Sequence, residues 1–132
     1  MDASRRAIPI FGAWTLLVWL SRVRNVWADD DLSGGGRASR VAVAAVFIAL
    51  AAVIVVAFYR PAADPNRARW ALRVLCSWTI AFWIVRGAGI LLDDHDAGFL
   101  TVHAVLMAVS IGLATWAWPR AREDVPSAGR VA

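Results

Sequence analysis

The chain has 132 residues, 60% of them apolar and 18% charged, with a mean hydropathy of +0.58 and a net charge of +4. Soluble domains average about 45–50% apolar residues, so the excess points into a bilayer and excludes a disordered segment, which is poor in aliphatic and aromatic groups. Nine glycines and a single cysteine exclude a collagen-like chain and a disulfide scaffold.

Four apolar stretches are long enough to cross a bilayer, which takes about 20 helical residues. The first, residues 8–28, carries Arg22 and Arg24 near its end. Arg5-Arg6, this apolar run and Val26-Trp27-Ala28 imitate a cleaved signal peptide. The two arginines just ahead of the cut speak against cleavage. Residues 29–39, with Asp29-Asp30-Asp31 and Gly34-Gly35-Gly36, read as a flexible loop. The second stretch, 41–59, is uncharged, and its Ala45, Ala49 and Ala52 suit close helix packing. Pro61 ends it, and Asp64-Pro65 reads as a helix cap followed by Pro at the first helical position.

The third stretch, 70–92, has Arg73 at its start and Arg86 in its last third, with Gly87 as a packing position. Its lone Cys76 reads as a small buried hydrophobe. Asp96 can cap the fourth stretch, 97–118, whose sole titratable group is His103. The tail from Pro119 to Ala132 is expected to fray. Runs this long without alternation are not strands. The expected fold is therefore all-α: one domain, a bundle of four transmembrane helices.

All basic residues are Arg, and the wealth of Ala, Arg, Gly and Val implies GC-rich codons, hence a bacterial source. The arginines flank the apolar runs instead of lining one face, a topology signal and not a nucleic-acid footprint. Nine lie on the N-terminus, the middle loop and the C-terminus, against four on the other side, all before the second stretch. Both termini of a multi-pass protein of the cell membrane are thus expected in the cytoplasm.

An offset of 64 residues lays the first stretch on the third. Trp14 meets Trp78, Thr15 meets Thr79, Trp19 meets Trp83 and Arg22 meets Arg86, while Asp29 and Asp30 meet Asp93 and Asp94. Six of 21 aligned positions are identical, and tryptophan and intramembrane arginine are rare enough to suggest a duplicated helix hairpin. The copies would then be parallel repeats about an axis along the membrane normal. Thr15, Arg22 and Asp29 fall nearly on one helix face with Trp19 close by, and Thr79, Trp83, Arg86 and Asp93 repeat the stripe. Arg22 lies about 21 Å along the helix from Ile8, in the outer third of the membrane.

An intramembrane Arg costs up to about 2.5–3.5 kcal/mol at the centre of a span. The plain account is that both guanidinium groups snorkel to outer phosphates or loop carboxylates, with the tryptophans as interface anchors. The sharper one brings the stripes face to face. Two like charges then require an anion between them: Asp29, Asp93, a lipid phosphate or a substrate carboxylate.

Other chemistry is sparse. Asp93, Asp94, His95 and Asp96 are weak metal candidates, read first as a solvated acidic loop. His95 and His103 do not offer facing axial ligands for haem, and His103 reads as an interhelical hydrogen-bonding residue. No catalytic constellation and no cofactor are expected.

Phe11-Gly12-Ala13-Trp14-Thr15-Leu16-Leu17, with Arg22 eight residues after the Trp, resembles a motif of the ergosterol-biosynthesis scaffold family (ergosterol biosynthetic protein twenty-eight) of small four-span proteins. Trp78-Thr79 and Arg86 make a poorer copy. The resemblance covers about a dozen residues. It implies a non-catalytic scaffold that gathers lipid-modifying enzymes, with Phe11, Gly12, Trp14, Thr15 and Arg22 as structural or lipid-contact positions. The first expectation is accordingly a scaffold or accessory subunit among membrane lipids, with a membrane-protein partner or further copies of itself. The alternative is a small oligomeric carrier or channel with an anion site at the outer side.

Overall fold

The computed structural model describes residues 3–60 and 64–122, with side chains from Arg6 onward. These residues form four α-helices and no strand: α1 (Ala3–Trp27), α2 (Gly34–Tyr59), α3 (Pro65–Leu92) and α4 (Ala97–Arg122). They make an all-α four-helix bundle.

Caps start three of the helices. Ser33 Oγ accepts from the Gly36 N–H at 3.1 Å and opens α2. The Asp64 carboxylate accepts from the Asn66 N–H at 2.9 Å, with Pro65 at the first helical position of α3. The Asp96 carboxylate accepts from the Phe99 N–H at 2.9 Å and opens α4. Each satisfies one of the donors a helix leaves orphaned at its start.

Three boundaries differ from the expected ones. The loop expected over residues 29–39 is shorter, because Gly34, Gly35 and Gly36 form the first turn of α2. The Ser33 cap and the Arg37 N–H bond to Ser33 O offset the conformational freedom of the glycines. The Arg37 side chain also donates to Asp29 O at 2.8 Å and lies over the Trp27 ring, tying the turn to α1. Second, α4 does not stop at Pro119 but continues to Arg122, and the Arg73 guanidinium of α3 donates to Ala121 O in this last described turn. Third, α1 starts at Ala3, well before Ile8, and takes in Pro9. The expectation for Pro61 and the rest of the expected tail lie outside the described residues.

Consecutive helices run antiparallel. Gly12 of α1 lies against Ile54 and Val55 of α2, while Trp19 lies against Phe47. Gly87 of α3 lies beside Met107 of α4, and Arg73 beside Ala121. α1 also packs on α4 and α2 on α3, whereas the backbones of the diagonal pairs α1/α3 and α2/α4 stay apart, and α1 meets α3 through side chains such as Trp19 and Phe82. The result is a square, with the α1–α2 and α3–α4 turns at one end and the chain's first described residues at the other. The α1–α2 contact is close: a Cβ built on Gly12 would stand 2.5 Å from Val55 Cγ2, so a larger residue there must displace the Val55 side chain.

The core combines large residues on α1 and α3, such as Phe11, Trp19 and Leu75, with Phe47, Ile54 and the alanines of α2 and α4. The alanines at the interface correct the expected face of α2. Ala44 and Ala51 are buried, whereas Ala45 and Ala49 are exposed and Ala52 is half-buried. A helix almost wholly of Ala, Val and Ile carries no polar stripe to mark its outer side.

Outside the bundle, Leu20, Val46, Val53, Ile84, Val85 and Val105 are exposed, while Thr15, Thr79 and Ser110 are buried. An exterior so rich in large apolar groups is foreign to a monomer in water. α2, α3 and α4 are long and apolar enough to cross a membrane. α1, with Arg22 and Arg24 near its end, is not in that set.

Candidate functional site

The site is built on the inward faces of α1 and α3. Their burial follows the offset of 64: Ala7, Phe11, Thr15, Trp19 and Val26 are buried, and so are Ala71, Leu75, Thr79, Trp83 and Ile90. Gly12 and Cys76 match in the same way. α2 and α4 keep a similar correspondence at an offset of 63, with Phe47, Ala51 and Ile54 buried as Ser110, Ala114 and Ala117 are.

An aromatic cluster fills the middle of the bundle. The Trp19 ring stacks on Phe47 with centroids 3.9 Å apart, and Phe82 sets its edge against both at 5.1 and 5.4 Å. Trp83 is buried beside Phe82. On the α1–α4 side, Trp14 Nε1–H donates to the buried Ser110 Oγ at 3.0 Å.

One turn beyond these aromatics, toward the α1–α2 and α3–α4 turns, lies a cavity of about 380 Å³. Trp14, Trp19 and Trp83 line its inner part, and Arg22, Arg86 and Arg40 bring three guanidinium groups to it. Arg22 stands within electrostatic reach of both other arginines. Among the described residues none of the three forms an ion pair or a hydrogen bond. Asp29 is the cavity's one carboxylate. It accepts from the Asp31 N–H at 3.2 Å, an Asx turn that shapes the α1–α2 link. The internal Arg22–Asp29 pairing weighed from the sequence is therefore not formed. Such an arrangement attracts an anion: the guanidinium groups repel one another, and a shared oxyanion turns that repulsion into charge-assisted hydrogen bonds.

The remaining sequence candidates divide. Thr15 and Thr79 are buried below the cavity and do not line it. Thr15 donates to Phe11 O at 2.8 Å within its own helix, whereas Thr79 Oγ1 is buried without a partner among the described residues. Phe11 and Gly12 belong to the packed core of the bundle. Trp78, the counterpart of Trp14, is exposed on the outer side of α3 and tilts against Phe47 at 6.2 Å. Asp93, Asp94, His95 and Asp96 do not converge. Asp96 caps α4, while the His95 ring stacks on Phe99 and its Nδ1 lies 3.1 Å from Asp93 O. Among the described residues no three His, Cys, Asp or Glu side chains gather for a metal ion.

Two lining residues escape sequence reasoning about the site. Arg40 reads from sequence as a topology charge, yet antiparallel pairing returns it beside the end of α1. His103 also lines the cavity, its Nδ1 held 2.9 Å from Phe99 O and its ring stacked on Phe99. Pairing the helices backwards from the two short turns would have found both. No protein-family model, no curated protein and no solved structure matches the chain.

Proposed function

We propose that the chain is a small integral membrane protein whose four helices cross the bilayer and hold an anionic group in the cavity between them. The observation that carries this reading is the convergence of Arg22, Arg40 and Arg86 on one cavity with a single carboxylate, itself turned to a backbone N–H. The apolar exterior supports the bilayer setting, and the arginine count favours both termini in the cytoplasm. The cell membrane of a bacterium is the setting the composition favours. The stacked Trp19–Phe47–Phe82 cluster fills the bundle below the cavity, which favours a binding protein or carrier over an open channel. The matching faces of α1 and α3 support an origin by hairpin duplication.

The test is tryptophan fluorescence of the purified full chain in a neutral detergent, titrated separately with inorganic phosphate, sulfate and dodecyl phosphate. At least one of these gives a saturable change through Trp14, Trp19 and Trp83. The Arg22→Gln, Arg86→Gln form weakens that affinity by about tenfold or more, as expected when charge-assisted bonds to an oxyanion are lost. Equal affinities in both forms overturn the reading.

A second reading is the scaffold or accessory subunit, favoured by the exposed apolar faces at Val46 and Val53 on α2 and at Ile84 and Val85 on α3. Partner helices pack on such faces within a bilayer. Co-purification in mild detergent tests it, and a partner-free particle counts against it.

A further inference from the structure

We infer that the cavity takes the phosphate of a membrane phospholipid, which enters sideways from the bilayer between α1 and α4 and leaves its acyl chains outside. This rests on the reading of the chain as an anion-binding membrane protein.

The level of the charges agrees with a lipid phosphate. Helices of 26 to 28 residues span about 39–42 Å at 1.5 Å per residue, close to the 40–45 Å of a bilayer with its headgroups. Arg22 lies five residues before the end of α1 and Arg86 six before the end of α3, which sets both about 8–9 Å in from the helix ends. The polar zone of one leaflet is about 5–8 Å deep by the same dimensions. The arginine backbones thus sit just beneath that zone, and their long side chains reach the phosphate level by snorkelling.

The cavity wall supplies the route. On the α1–α4 side it is formed by Leu17 and Val18 facing Val102 and Leu106. Leu17 is 61% exposed and Val102 56%, so the wall opens onto the hydrocarbon side of the bundle. Further in, the Trp14–Ser110 hydrogen bond ties the two helices together. No loop joins α1 to α4, so this seam can part without straining a turn. A soluble anion needs only the polar mouth; an apolar side wall suits a ligand with a hydrocarbon part.

Size restricts what enters. A cavity of about 380 Å³ has room for a phosphate and its glycerol but not for two acyl chains as well. The guanidinium fork matches phosphate oxygens two at a time, which an ammonium group cannot do.

The experiment is thermal unfolding of the full chain in neutral maltoside micelles with phosphatidylglycerol, phosphatidylcholine or inorganic phosphate at equal phosphate concentration. Phosphatidylglycerol raises the midpoint by about 5 °C, the size expected of a ligand well above its dissociation constant. Phosphatidylcholine raises it less, because its trimethylammonium group meets three guanidinium groups, and inorganic phosphate raises it least. The Arg22→Gln, Arg86→Gln form loses the rise. The Arg22→Lys, Arg86→Lys form keeps the charges and recovers part of it, which separates a binding loss from misfolding. Val102→Trp fills the mouth of the seam while every arginine is kept, and reduces the phosphatidylglycerol rise. If inorganic phosphate matches phosphatidylglycerol, the lipid assignment falls while the anion site stands. If neither raises the midpoint, or the rise survives in the Gln form, both fall. An undiminished rise in Val102→Trp overturns the sideways route.

Discussion

α1 and α3 carry the same residue types in the same register, yet the two helices do different work. Both bury Thr, Trp and the position four before the Thr, and both bring an Arg to the cavity. The resemblance stops at the sides of each helix. Trp14 points into the bundle and bonds Ser110, whereas Trp78 faces outward. Thr15 closes onto its own backbone, whereas Thr79 has no partner among the described residues. Gly12 is pressed by Val55, and in its place α3 has the larger, fully buried Cys76. Residues that meet the bundle axis see similar surroundings in both halves and stay alike. Residues at the flanks meet α2 or α4, which differ, and so diverge.

The sharpest way to break this comparison is truncation of the paired tryptophans. Trp19→Ala removes the Phe47 stack and the Phe82 edge contact, and should cost about 3–5 kcal/mol in detergent unfolding experiments, as large aromatic truncations do. Trp83→Ala removes a ring whose one aromatic contact among the described residues is with Phe82 and should cost less; equal losses mean that the two helices carry the core evenly. Gly12→Ala comes next, at about 1–3 kcal/mol, because its methyl group collides with a stiff β-branched side chain. The second change Val55→Ala should return part of that loss. Gly87→Ala meets the flexible Met107 thioether and should be milder in the same assay.

The threonines test the polar difference. Thr79→Val removes a buried hydroxyl without a partner and should raise stability by about 1 kcal/mol, whereas Thr15→Val loses its bond to Phe11 O and should not. Matching shifts of the unfolding midpoint would erase the distinction. The last pair is Trp14→Phe and Trp78→Phe: the first should lose about 0.5–1.5 kcal/mol with its hydrogen bond to Ser110. Trp78→Phe, on the outer side, should fall below it in the same experiment.

Much of the fold was legible before any coordinate. Lengths of apolar run, the Asp64-Pro65 and Asp96 caps, and the rhythm shared by α1 and α3 each follow from local chemistry. The misjudged places share a cause. Gly34 to Gly36 are poor helix formers, but one Ser33 hydroxyl and the Arg37 bond to Asp29 O tip them into α2. Pro119 is a helix breaker, yet Arg73 from another helix engages the turn that follows it. The alanines of α2 offered no pattern from which to choose between Ala44 and Ala45.

The amino-acid order by itself determined four long helices, the Asp64 and Asp96 caps and the spacing of the Thr–Trp–Arg stripe, because these depend on neighbours within a few turns. Tertiary structure alone decided that Arg40 and His103 join Arg22 and Arg86, that Asp29 turns to the backbone, and that Trp14 and Trp78 part ways. Those outcomes depend on which helix lies beside which. That choice belongs to packing across the square of the bundle, where residues far apart in the chain meet.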